Sequence, residues 1–146
     1  MRISTKGIYG LSALVAIAHN SSTGIVSLSS IASRLNLSEG YLQQVFAALR
    51  QARLVKSVRG SQGGYELDCD PATTTVGHIL RSLEGDLLVV DEDAEQKTDN
   101  AIRQCLRRNV WNVLNESINK VIEGITLADI LADYRNGFDE SLMYYL

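Results

Sequence analysis

The 146-residue chain is 45% apolar and 21% charged, ordinary values for a globular protein that can bury a core without disulfides or metals. It holds no run of 18 apolar residues, which argues against a membrane helix, and its two cysteines, Cys69 and Cys105, make no disulfide framework. The net charge of −3 hides a division: residues 1–67 carry seven Lys or Arg against two acids, and residues 68–146 carry seven against fifteen, so only the first part suits a polyanion.

Met1 to Gly7 contains neither an apolar signal core nor a small-residue cleavage site, so a cytoplasmic location is expected. Ile8, Leu11, Leu14, Val15 and Ala18 recur at helical spacing and predict a helix over about 5–20. Residues 20–24 form a turn cluster. Leu28, Ile31, Ala32 and Leu35 mark a short second helix with Ser27 as N-cap. Ser38 then caps a third, whose Leu42, Val45, Phe46 and Leu49 make an i, i+3, i+4, i+7 stripe.

After Ala52 the period changes. Leu54–Val58 and Tyr65–Leu67 read as strands joined by the Gly60-Ser61-Gln62-Gly63-Gly64 turn. Three helices and a β-hairpin in this order describe a winged helix-turn-helix unit. Pro71 closes it, and Thr75 caps a short helix ended by Gly85. The acidic stretch 91–99 reads as an exposed loop.

A long helix follows over about 100–123. Its stripe of Ile102, Leu106, Val110, Val113, Leu114, Ser117, Ile118, Val121 and Ile122 needs a partner. That partner is either a second copy of the chain or the core of the same chain. Thr126-Leu127-Ala128-Asp129 resembles a capping box for a last helix through about Tyr134. The expected fold is thus mostly α with a small β-hairpin wing. Residues 1–70 form the winged unit, with its first helix also packing on the dimer region. Residues 71–98 form a short helix and acidic loop, and 99–146 a long dimerisation helix with a helical tail.

A helix-turn-helix lays the start of its second helix against base edges in the major groove. Here that start carries Ser38, Tyr41 and Gln43. Ser38 and Tyr41 suit phosphate contacts. Gln43 suits a bidentate pair with adenine, the plain alternative being a solvent-facing helix residue. In the wing, Arg59 beside Gly60 suits a narrow minor groove. Lys56 and Arg50 add positive charge nearby; the plain alternative is a hairpin charged for solubility. No nucleophile–base pair, metal cluster or phosphate-binding loop is recognisable, so no catalytic residues are expected. His19 and His78 form no metal motif. The competing reading is a winged helix that binds protein and not DNA.

Thr5-Lys6-Gly7-Ile8-Tyr9-Gly10, Ser38-Glu39-Gly40-Tyr41-Leu42 and Ser57-Val58-Arg59-Gly60-Ser61-Gln62-Gly63-Gly64-Tyr65 resemble the Rrf2 family of bacterial transcription regulators. The resemblance implies a repressor that binds double-stranded DNA at a palindromic operator as a homodimer. It places Ser38, Tyr41, Gln43 and Arg59 at DNA-contacting positions, although Gly40 and Gln43 replace a Ser and a Glu found in cluster-binding members. Many members hold an iron–sulfur cluster through three cysteines just before the long helix. Here that region keeps only Cys105, with Arg108 where a histidine ligand would stand, so no cofactor is expected. Ile3 to Gly7, Leu83-Glu84-Gly85 and the C-terminal Ser141 to Leu146 are similar to the cluster-free, CymR-type branch. That implies control of sulfur or cysteine metabolism, with a cysteine-synthesis enzyme as corepressor. Cys105, among Arg103, Arg107 and Arg108, is the redox candidate, the alternative being an inert buried thiol. Cys69 lies between Asp68 and Asp70 and is expected to be the less reactive thiol.

Overall fold

A computed structural model describes residues 1–20, 24–90 and 100–145; the acidic stretch 91–99 and most of the 20–24 turn lie outside them. Helix α1 spans Thr5–His19, α2 Leu28–Leu35 and α3 Glu39–Gln51, followed by strands β1 (Val55–Val58) and β2 (Gly64–Leu67). Helix α4 is Val76–Glu84. The long helical segment runs as α5 (Ala101–Leu106), a π-turn (Arg107–Trp111) and α6 (Asn112–Glu123), and α7 is Leu127–Tyr145. The last helix continues past Tyr134, across Gly137. No helix among the described residues is long and apolar enough to cross a membrane.

The helix starts are side-chain capped. Ser27 accepts from Ser30 N at 3.2 Å, Ser38 from Tyr41 N at 3.2 Å and Thr75 from His78 N at 3.0 Å, each satisfying one orphan donor of a first turn. The capping box of α7 is reciprocal: Asp129 N donates to Thr126 Oγ1 at 3.1 Å and Thr126 N to Asp129 Oδ2 at 2.9 Å. The bond from Thr126 N, and after it the Thr126 side chain, hold the Asp129 carboxyl below its ordinary range.

The core gathers around α1. Ala13, Leu14, Ile17 and Ala18 are buried there with Ile31, Leu42, Val45, Phe46, Leu49, Leu54, Ile79 and Leu127. Ile8 is 52% exposed, against its assignment to the buried stripe. The reason is that α1 is packed on more than one side, against α2, α3, α4, β2 and α7. Its small residues therefore face neighbours as well as its large ones. A second cluster of Val76, Leu80 and Leu87 packs on Ile3, Leu11, Ile122 and Ile130. The start of α7 is tied to the loop before α4 by backbone bonds, Val76 N to Ile125 O at 2.8 Å and Leu127 N to Thr74 O at 2.9 Å.

The segment 101–123 has no buried residue in the single chain. Ile102 is 71% exposed, Val113 50% and Val121 61%. Among the described residues only Ile122, at the end of this stripe, packs against an apolar cluster, and much of the stripe is uncovered in the single chain.

One polar knot joins this segment to α4 and its cap. Arg81 Nη1 binds Glu123 Oε1, Arg81 Nη2 donates to Asn119 Oδ1 at 2.8 Å, and Thr75 Oγ1 donates to Glu123 Oε2 at 2.9 Å. The Arg81 hydrogen bond, then that of Thr75, holds the Glu123 carboxyl below its ordinary value near 4.5. A lowered folded-state value gives stability that is present above the ordinary value and lost as pH falls through the lowered one. Glu123→Gln is thus expected to melt slightly lower than wild type at pH 7, with the gap closing below pH 4.5. The pair is solvent-exposed and screened, so the gap is small. Paired thermal melts across pH check this.

Candidate nucleic-acid interface

Helix α2 stops where Asn36 turns left-handed at φ 54°, and Leu37 N closes on Ala32 O at 2.9 Å. Asn tolerates that conformation better than most residues. The turn delivers Ser38 directly as the cap of α3. Burial of Leu42, Val45, Phe46 and Leu49 fixes the rotation of α3, so Gly40, Gln43, Gln44, Ala47 and Arg50 face solvent. Gln43, Ala47 and Arg50 follow at i, i+4, i+7, one exposed stripe. Of these, sequence reasoning named Gln43 and Arg50; Gln44 and Ala47 share the same exposed face, which the complement of the apolar stripe marks.

Ser38 is exposed. Its oxygen accepts from Tyr41 N, which leaves the hydroxyl proton able to donate outward. Tyr41 is half-buried. Its ring meets Tyr9 edge-on at 5.9 Å and its hydroxyl donates to Thr5 Oγ1 at 3.4 Å. That contact brings the start of α1, with exposed Thr5 and Lys6, beside the recognition helix. Neither residue was assigned a role from sequence. The start of α1 is itself anchored: Ser4 N donates to Glu84 Oε1 at 2.9 Å, and Ser4 Oγ donates to the same oxygen. Two short motifs 80 residues apart, Ile3–Gly7 and Leu83–Gly85, therefore act as one joint.

Helix α3 ends in a left-handed Arg53 (φ 58°), with Leu54 N bonded to Leu49 O and Arg53 N to Arg50 O, both at 3.0 Å. This closure launches β1. The strands pair antiparallel, Val55 opposite Leu67 and Val58 opposite Gly64. Phe46 and Tyr65 rings pack at 4.3 Å and join α3 to the wing. Val26 adds a two-bond bridge to Tyr65 on the outer edge of β2, a pairing that a single residue in a loop does not announce.

At the wing tip Arg59 and Gly60 are exposed, and Gly60 takes φ +123°, a conformation that excludes side chains. Gly63 and Gly64 are required by the fold itself. A Cβ at Gly63 would overlap Val58 O and one at Gly64 would overlap Val26 O, so these glycines admit the protein's own backbone. Lys56 is exposed but lies opposite Glu66, with Nζ 3.3 Å from Oε1. The wing's free positive charge is thus weighted toward Arg59. Ser61, Gln62 and Gly63 line a polar cleft of about 460 Å³ with Ser27 and Ser30 of α2.

The two thiols differ. Cys69 is half-buried at the base of the wing, and burial first, then Asp68 and Asp70, pushes its pKa up against the Thr74 hydrogen bond. Burial outweighs the acids that the sequence reading stressed. Cys105 is exposed in the single chain, and Asn109 Nδ2 donates to its carbonyl at 2.8 Å and lies 3.4 Å from Sγ. Since thiolate is the reactive form, maleimide at pH 8 is expected to modify Cys105 first and Cys69 slowly. Equal rates in peptide mapping would contradict the burial of Cys69.

Recognition helix, wing and helix-turn-helix together define a winged helix-turn-helix DNA-binding protein. A family model described as Rrf2, iron-dependent transcriptional regulator, matches residues 3–133. The HTH-type transcriptional regulator CymR of Bacillus subtilis is 41% identical over 148 residues, covering all of both chains. IscR of Aliivibrio salmonicida is 32% identical over 91% of this chain and 79% of that one. Among solved structures, that of CymR, the global cysteine regulator of B. subtilis, superposes with a TM-score of 0.78 at 38% identity, over 90% of this chain and 97% of that one. IscR of T. potens superposes at 0.74 with 46% identity, over 92% and 88%. The chain belongs to the Rrf2 family and is a DNA-binding transcription regulator; the alternative of a winged helix that binds only protein loses its support.

The family description raises iron. The described residues contain no group of three or more His, Cys, Asp or Glu placed to hold a metal. The whole chain has two cysteines and two histidines, and 91–99 contains neither type. Cys69 packs against the core and Cys105 sits exposed on the long segment. This donor set does not fit a cluster that takes four ligands, mostly thiolates.

Proposed function

We propose that the protein represses transcription as a cytoplasmic homodimer, with two winged units (residues 1–70) reading the halves of a palindromic operator. The observation that carries this reading is the uncovered apolar face of residues 101–123. An amphipathic helix whose apolar stripe is largely uncovered in the single chain buries that face against its own copy at little design cost, and a two-fold dimer reads a two-fold site. Residues 71–98 connect the winged unit to the dimerisation region, 99–146. Gln43 reads a base edge, Ser38, Tyr41, Lys56 and Arg50 contact the backbone, and Arg59 with Gly60 enters the minor groove. The protein acts by binding and carries no catalytic site. Its target is sulfur or cysteine metabolism, supported by the identity to CymR, and a cysteine-synthesis enzyme is the candidate corepressor. Cys105 stands as the redox candidate.

Selection of genomic fragments with the reduced protein tests this. One palindrome upstream of sulfur genes is the expected result; sequence-independent, salt-sensitive binding would overturn the specific reading. On the selected site, Gln43→Ala is expected to cost about 1–3 kcal/mol and to relax one base position. Arg59→Ala is expected to weaken binding and lower the salt slope by about 1. Unchanged affinity in both, by fluorescence anisotropy, would remove these residues from the interface.

A further inference from the structure

An open groove of about 400 Å³ lies between α1, α2 and α7, lined by Leu11, Val15, Leu35 and Ile130 with the exposed Arg34 and Tyr134. We propose that it binds a small monocarboxylate with a short apolar chain. The volume falls in the range of small-ligand sites. No described residue of 101–123 lines it; Ile130 and Tyr134 come from α7, beyond that segment.

The polar groups decide the chemistry. Ser12, also in the wall, donates its hydroxyl to Ile8 O at 2.8 Å, so that proton is already used. Among the described residues Arg34 is the one charged group in the lining. Its partner is a phenol, not a carboxylate: Nη2 donates to Tyr134 Oη at a long 3.3 Å. A carboxylate would take the guanidinium in two parallel, shorter bonds and displace that weak one. The Tyr134 hydroxyl would then be free to donate to the same anion. Its ring is held in the wall by His19, edge-on at 4.9 Å. A cationic ligand would face Arg34, and a dianion would meet one guanidinium in an otherwise apolar wall. One negative head and an apolar body satisfy all of the lining.

The site sits on the reading machinery. Arg34 is in the last turn of α2, two residues before the Asn36 turn that places α3. A ligand bound to Arg34 and α7 would brace that turn, so occupancy would change operator affinity; this consequence rests on the proposed function, whereas the binding does not.

The test is calorimetric titration of the full-length protein, free of DNA, with butanoate, 3-methylbutanoate and 4-methylpentanoate, and with 4-methylpentanamide as the uncharged match. The acids are expected to bind with Kd below about 1 mM. The amide, and Arg34→Gln with the acids, should each be at least about 10-fold weaker, the loss of a charge-assisted pair. Ser12→Leu, which fills the groove and keeps the charge, should abolish binding. No binding of any acid at 10-fold above that Kd, equal binding of the amide, or full binding by Arg34→Gln would each overturn the proposal. Anisotropy on the selected operator with and without 4-methylpentanoate separates the two readings. Acid binding by a protein that finds no operator would sink the repressor and spare the site, and the converse would sink the site alone.

Discussion

Glutamates at Val113 and Val121 are expected to turn the dimer into a folded monomer and to weaken operator binding at least about 100-fold. Both side chains are half or more exposed in the single chain, and no residue of α6 is buried there. The protomer therefore loses little when they are replaced. In a face-to-face helix pair the same carboxylates would be desolvated, at a cost of several kcal/mol. Operator affinity falls with dimer affinity because each winged unit then binds its half-site alone, losing an effective concentration that multiplies affinity by about 10²–10⁴. Light scattering gives the mass, circular dichroism the helix content, and anisotropy the affinity. A variant that stays dimeric with native operator affinity would place the dimer contact elsewhere.

What could be read from sequence was whatever depends on residues close together in the chain. The caps Ser27, Ser38 and Thr75 and the Thr126–Asp129 box are local, each a side chain bonding an amide three residues away. The α3 stripe and the wing strands are also local patterns. Missing from the sequence reading were contacts set by how elements meet. Glu84 reaching Ser4, Tyr41 reaching Thr5 and Val26 pairing with Tyr65 join residues 36 to 80 positions apart. Ile8 was misplaced because periodicity assumes one buried face, whereas α1 is central and packs through Ala13, Ala16 and Ala18 as well. The π-turn at 107–111 interrupts no apolar pattern and so left no trace. Of the interface, residue types and their exposure were legible. The Glu66 partner that engages Lys56 was not, because cross-strand neighbours follow from register, which the turn between them sets.

Phe46→Ala is expected to cost about 3–5 kcal/mol of stability, the usual range for emptying a buried aromatic site, and to lower the melting temperature by roughly 10 °C for a chain of this size. Phe46 is fully buried, and its ring also packs on Tyr65 of β2. It therefore holds the wing to the recognition helix as well as filling the core. The functional consequence separates those two roles. Well below the melting temperature the variant is still folded, but its wing is no longer seated on α3. Arg59→Ala should then cost less in the Phe46→Ala background than in wild type, because an Arg on an unseated wing contributes less to begin with. Residues coupled through shared packing show such non-additivity, at about 0.5–3 kcal/mol. A double-mutant cycle in operator affinity measures it. Strict additivity would mean that β1 and the Arg53 closure of α3 place the wing without Phe46. Coupling of the expected sign would mean that one core side chain sets the geometry between major-groove and minor-groove contacts.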